Sequence, residues 1–134
     1  MNIFEHCTTS TAQGDIGEAR AIYEFVKRGW VVSKPINDKA KYDLIVDDGE
    51  SLKRVQVKTT KRRDYNTASG YAVNIQTRYS TTTQNRVSDR VESDYDLLFV
   101  LTELDESWLI PTESMGGTKT TIVVGTKKYA AFQL

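Results

Sequence analysis

The chain has 134 residues, 39% hydrophobic and 27% charged, the size of one domain spanning residues 1–134 whose core needs no disulfide. No apolar run approaches the roughly 20 residues that cross a bilayer, and no signal-peptide core opens the chain, so a cytoplasmic, membrane-free protein is expected. The lone Cys7 excludes an intramolecular disulfide, its neighbour His6 is too little for zinc, and a net charge of zero excludes a uniformly basic nucleic-acid binder.

Residues 1–12 are polar and Thr-rich. Gly14-Asp15-Ile16-Gly17 then opens a predicted helix that runs to about Arg28 and stops at Gly29. Helical periodicity puts Ala19, Ile22, Tyr23, Phe25 and Val26 on the buried arc, with Arg20, Glu24, Lys27 and Arg28 outside it. Glu18 falls within the apolar arc, where a carboxylate is costly unless it is paired or binds a metal. Trp30-Val31-Val32 follows, then a polar excursion, then the strand Tyr42 to Val46. Asp47 to Ser51 is a turn, and Leu52 to Thr60 is the next strand.

That last strand carries Gln56 and Lys58. Side chains two apart on a strand share a face, so these two point together while Val55 and Val57 pack behind. A four-residue loop at 48–51 sets Asp43 opposite Gln56, with Cβ atoms about 4.5–5.5 Å apart; other registers make its partner Arg54 or Lys58. Beyond lie the predicted strand Tyr71 to Ile75, a loop over Ser80 to Gln84 and a short helix over Asn85 to Glu92. Tyr95 to Leu101 is nearly continuous apolar sequence, as in a strand covered on both faces. Trp108 to Ile110 and Thr121 to Val124 complete an α/β (α+β) arrangement, a mixed sheet flanked by the N-terminal helix.

Charge is segregated along the chain. Lys53 to Arg63 holds six basic residues and no acidic one, whereas Asp89 to Glu106 holds seven acidic residues against Arg90 alone. A local positive surface is what phosphate contacts need. Lys61, Arg62 and Arg63 are therefore candidates for DNA phosphates, together with Arg78, Tyr79 and Arg86; the acidic stretch is expected to face away. Tyr65 and Tyr71 are expected to pack rather than stack on bases. Neither Gly14-x-x-Gly17 nor Gly116-Gly117 is followed by the Lys-Ser/Thr of a phosphate loop.

An aspartate, an amide oxygen and a lysine on one hairpin can hold a hard cation beside a phosphodiester. Glu18, Asp43, the Gln56 side-chain oxygen and the Val57 carbonyl are candidate ligands of Mg²⁺ or Mn²⁺. Lys58 would orient or help deprotonate the attacking water and offset charge on the phosphate. The pattern Glu18, Tyr42-Asp43, Gln56-Val57-Lys58, over about residues 14–60, resembles the PD-(D/E)XK nuclease signature. Asp94 to Pro111 also looks like that superfamily, and the likeness is greatest to the group I intron-associated homing endonucleases. Tyr42 stands where the motif has proline, and Gln56 where it usually has an acid; the intron-associated group carries glutamine there too.

The resemblance implies a restriction-endonuclease-like core and a Mg²⁺-dependent endonuclease that cuts double-stranded DNA as a dimer or tetramer. Glu18, Asp43, Gln56 and Lys58 would form its active site. A Holliday junction resolvase built on the same core is the nearest rival. A non-catalytic DNA-binding module is another, and a plain interaction domain with a buried Glu18–Lys58 ion pair is a third.

Overall fold

The computed structural model describes residues 1–80 and 83–134. Helix α1 (Ser10–Lys27) is followed by β1 (Val31–Ser33), β2 (Leu44–Asp47) and β3 (Leu52–Thr60). Then come β4 (Tyr71–Asn74), β5 (Thr77–Ser80), β6 (Asn85–Ser88), β7 (Leu97–Thr102), β8 (Ser107–Pro111) and β9 (Thr121–Val124). Among the described residues a five-stranded sheet runs β1-β2-β3-β7-β8, with β4-β9 and β5-β6 as two-stranded ribbons. Only β3 and β7 pair in parallel within the large sheet, which makes it mixed, as expected. No helix among the described residues is long and apolar enough to cross a membrane.

Strand β7 explains why the apolar run from Leu97 to Leu101 is unbroken. Leu97, Phe99 and Leu101 pack with Ala21 and Phe25 beneath α1. Leu98 and Val100 point the other way, into a core shared with Val73 of β4 and Ile122 of β9. Both faces of the sheet are thus covered, and every β7 residue is buried.

Three expectations need correction. The helix starts at Ser10 rather than Gly14, because the Thr9 hydroxyl accepts the Ala12 N–H at 3.0 Å and caps the first turn. Its buried face is Gly17, Ala21, Glu24 and Phe25, whereas Ala19, Tyr23 and Val26 are exposed. The segment Asn85 to Glu92 is not a helix: Asn85–Ser88 pairs antiparallel with β5, and only Glu92–Asp94 turns, as a single 3₁₀ turn. Val87 and Val91 are its only apolar pair at helical spacing and both stay exposed, while β5, which the sequence did not announce, offers its backbone partners instead. The predicted loop over Ser80 to Gln84 lies partly outside the described residues.

Gly17 sets the helix against the sheet. A Cβ there would lie 2.4 Å from Thr59 Cγ2 and 3.3 Å from Val57 Cγ1. Thr59 cannot simply rotate away, since its Oγ1 accepts from Gln13 Nε2 at 2.8 Å. Glu24, read as outward, is only 3% exposed. It is held by Arg20 at 3.2 Å, Lys27 at 3.1 Å and Arg28 at 3.1 Å. Burial pushes its carboxyl up, but hydrogen bonds from these three cations outweigh that and hold it below the usual range.

The opposed charge runs meet within the chain. Asp96 accepts from the Arg54 backbone N–H at 2.8 Å and from its guanidinium at 3.2 and 3.3 Å. Asp94 faces Lys41 at 3.6 Å, and Asp105 pairs with Arg20. Of these pairs only Asp96–Arg54 joins the two runs across the β3–β7 pairing; Asp94 and Asp105 meet cations of the β1–β2 connection and of α1.

Two stability outcomes follow. Gly17→Ala is expected to lose about 1–3 kcal/mol through overpacking, read as a lowered urea midpoint. Glu24→Gln is expected to lose about 1–3 kcal/mol at neutral pH. The folded pKa of Glu24 lies below its unfolded value, so this contribution is complete above the unfolded carboxylate range and vanishes as pH falls through the folded one. Denaturation at neutral and acid pH should show the wild-type advantage shrinking in acid; an equal gap at both would refute the assignment.

Candidate active site

The β2–β3 turn fixes the register on which the site depends. Asp47 faces Leu52 and Leu44 faces Val55, which leaves the four residues 48–51 as the loop. The Asp48 carboxylate accepts from the Glu50 and Ser51 N–H groups at 2.9 and 3.0 Å, and these bonds, aided by Lys53, bring it down to about 2. Gly49 at φ 93° completes the reversal. One step beyond Leu44, Asp43 stands opposite Gln56, the first of the three registers open at the sequence level.

Asp43 does not simply continue the ladder. Its backbone N–H donates to the Val55 carbonyl at 2.8 Å, while its Oδ2 accepts the Val57 N–H at 2.8 Å. Burial raises the pKa of this carboxyl; the Val57 N–H and the Lys58 ammonium lower it in part, and Glu18 raises it further. The carboxylate is desolvated and shares its surroundings with a second negative group.

Gln56, Lys58 and Thr60 share the face of β3 turned away from α1. Thr60 Oγ1 donates to the Ala72 carbonyl at 2.6 Å, and Lys58 Nζ donates to the Gln76 carbonyl at 2.6 Å. Burial brings Lys58 down to about 8, with Asp43 resisting and Arg78 adding to the fall. Gln56 is only 8% exposed, yet among the described residues no group hydrogen-bonds its side-chain amide. The amide is not among the fully buried unpartnered groups of the described residues, so its polar atoms stay open to solvent or a ligand.

Glu18 reaches the same place from the helix. Its carboxylate lies 2.5 Å from Lys34 Nζ and is not joined to Lys58, so the Glu18–Lys58 ion pair of the interaction-domain reading is absent. Lys34 is in turn raised by Glu18. Lys34 was missed in the sequence; it sits in an irregular segment where no spacing ties it to the helix.

Two hollows flank these groups. One is lined by Glu18, Lys34, Asp43, Arg78, Tyr79 and Arg86 among others. The other holds Lys58 and Arg78 with Ser10, Gln13 and Asn74. Arg78 and Arg86 are thus brought to Asp43 by the unforeseen β5–β6 ribbon. Lys61, Arg62 and Arg63 are not: they line a separate hollow with Tyr65, which is 94% exposed. Arg63 donates to the Ala68 carbonyl at 3.1 Å and lies over the Tyr71 ring, whose residue is buried as expected. Adjacency in sequence to Lys58 did not mean adjacency in space.

A family model described as PD-(D/E)XK endonuclease matches residues 8–132. The chain belongs to this family. Membership makes it a nuclease, and members of the family typically use divalent metal ions. Comparison with curated proteins found no match. Among solved structures, the fold is similar to that of a bacterial homing endonuclease, I-Ssp6803I, with a TM-score of 0.74 at 23% identity. That alignment covers 93% of this chain and 88% of the other.

The donor set suits a hard divalent cation. Among the described residues no cluster of three His, Cys, Asp or Glu side chains is present. What the structure brings together instead is the carboxylates of Glu18 and Asp43 in one hollow, with Gln56 on the neighbouring strand, all oxygen donors of the kind Mg²⁺ accepts while keeping several waters. A cation there would relieve both the desolvation of Asp43 and its repulsion from Glu18.

The raised Asp43 pKa has a testable consequence. A carboxyl whose folded pKa exceeds its unfolded one adds stability at low pH and loses it as pH rises through the folded value. Without divalent metal, Asp43→Asn keeps an oxygen for the Val57 N–H and removes the desolvated charge. Thermal unfolding in chelator should show it as stable as wild type or up to about 1 kcal/mol more stable; a marked drop would mean that the charge itself holds the fold.

Proposed function

We propose that residues 1–134 act as one nuclease unit, a Mg²⁺-dependent endonuclease that cuts double-stranded DNA at defined sites, in the manner of a homing enzyme. The observation that carries the reading is the bond from the Val57 N–H to the Asp43 carboxylate, which ties Asp43 to β3 beside Lys58, with Glu18 in the same hollow as Asp43. Likeness of fold to a homing endonuclease over nearly the whole chain supports the site-specific form.

Glu18, Asp43, the Gln56 oxygen and the Val57 carbonyl would hold Mg²⁺, with Mn²⁺ able to substitute. When bound, the cation lowers the pKa of water and offsets charge on the phosphate oxygens. The chain supplies the rest. As the water oxygen bonds to phosphorus, the bond to the leaving oxygen breaks; Lys58 orients the water, the fraction of it in the neutral amine form takes the water's proton, and the leaving oxygen picks up a proton from solvent. Its hold on the Gln76 carbonyl keeps the ammonium at a fixed point along β3. Arg78 and Arg86 meet DNA phosphates at the cleft, and Lys61, Arg62 and Arg63 do so on a second surface.

Each chain has one such cleft, and a duplex has two antiparallel strands to cut. A homo-oligomer, dimer or tetramer, supplies the second site by symmetry. A DNA substrate is in keeping with an intracellular, cytoplasmic location.

The test is cleavage of a plasmid pool carrying randomised inserts and of a synthetic four-way junction, with and without Mg²⁺. Discrete cuts in the plasmid pool that disappear with Lys58→Ala are expected. Cutting confined to the junction would turn the assignment to a resolvase. In parallel, Mg²⁺ or Mn²⁺ should raise the melting temperature of wild type and not of Asp43→Asn. Equal behaviour of the two proteins would sink the metal site.

A further inference from the structure

Arg78 is the one described residue that lines both hollows beside the hairpin. One hollow holds Glu18 and Asp43, the other Lys58, so its guanidinium stands where the two halves of the site join. Its position is tied to Lys58 through the backbone. Lys58 Nζ bonds the Gln76 carbonyl, and Gln76 is itself fixed by the Asn74 side chain to its N–H at 2.8 Å and by its own bond to Asp89 at 3.0 Å. Arg78 follows two residues later, about 6.6 Å along the chain in extended geometry. Between them Thr77 is fully buried, with Oγ1 at 3.0 Å from Ser88 Oγ across the β5–β6 ribbon.

The arginine has no anion to satisfy it. Arg20, Arg28 and Arg54 are each joined to carboxylates. No hydrogen bond or ion pair engages the Arg78 side chain among the described residues, and the charge it does feel is the like charge of Lys58. Two cations held on one rim, with Asp43 turned to the Val57 N–H, are arranged for an anion between them. A guanidinium offers a planar fork that matches two phosphate oxygens at once.

We infer that Arg78 is a catalytic residue that grips the scissile phosphate where the Glu18–Asp43 hollow meets the Lys58 hollow, rather than one more contact to flanking backbone. The inference rests on the nuclease reading above and deepens it. Charge grows on the non-bridging oxygens as water attacks, and a preplaced guanidinium favours that state over the ground state. A flanking contact would act on binding alone.

Single-turnover cleavage of the randomised plasmid pool, with Mn²⁺ and enzyme in excess, separates the two. Arg78→Ala should lower the rate at saturating enzyme by about 10²–10³-fold, with half-saturation changed far less. Arg78→Lys should recover part of that rate. Its melting temperature, and the rise in it with Mn²⁺, should match wild type, which excludes a folding or metal-site defect. Lys128→Ala, a charge removal outside the cleft, serves as the control. An unchanged saturated rate, with weaker half-saturation and a salt slope lower by about one, would make Arg78 a flanking contact and overturn the inference while the nuclease reading stands. Wild-type protein that cuts nothing with either metal would remove both.

Discussion

The bond from the Val57 N–H to the Asp43 carboxylate organises this protein. It forms just before β2 begins, alongside the middle of β3, and it substitutes a side-chain oxygen for the next backbone partner. One hydrogen bond thereby fixes the carboxylate relative to β3, and strand geometry does the rest. Gln56 lies across from Asp43, and Lys58 lies one pleat repeat further on the same face. Any slip of one residue in the β2–β3 register would turn Gln56 and Lys58 toward α1 and Val57 toward the cleft. The Asp48 turn, with its two carboxylate-to-backbone bonds, makes such a slip costly.

Strand β3 is also where every layer meets. Its far face takes the helix at close range through Gly17, one residue before Glu18, so the packing that closes the core also delivers a carboxylate to the cleft. Its near face leans on β4 through Thr60 and on Gln76 through Lys58. The parallel partner β7 is covered on both sides, which gives β3 a rigid neighbour along its length. Stability is sacrificed locally: Asp43 is desolvated next to Glu18, Lys58 is buried beside Arg78, and Gln56 carries an amide with no partner. Function-bearing sites are where such strain is expected to collect.

The legible parts of the sequence were those where pattern and packing agree. Strand β3 reads correctly because valines alternate with polar residues, and β7 because an unbroken apolar run has few other uses. The hairpin register was narrowed to three, and the Asp48 turn selects the one with a four-residue loop. Reading failed where a residue's environment is made by distant charge. Glu24 looks like a surface residue until Arg20, Lys27 and Arg28 close around it, and its burial rotates the whole apolar face of α1 away from Tyr23 and Val26. The β5–β6 ribbon was missed because short polar strands that pair mainly with each other have no hydrophobic alternation to reveal them. Lys34 could not be found at all, since only the fold brings it to Glu18.

The amide at Gln56 changes the electrostatics of the cleft more than its ligand count. Among the described residues lining the two hollows, the cations are Lys34, Lys58, Arg78 and Arg86, and the carboxylates are Glu18, Asp38 and Asp43. The balance is one positive charge before any metal arrives. A glutamate at position 56, two residues along the strand from Lys58, would add a carboxylate near that amine and raise its pKa. With glutamine, an oxygen donor is kept for the proposed cation, and Lys58 gains no second carboxylate neighbour. Metal affinity falls with the lost charge, but the bare cleft remains attractive to a polyanion. In such an arrangement DNA and cation favour each other's binding, because each brings the charge the other lacks, and neither has to be held tightly alone.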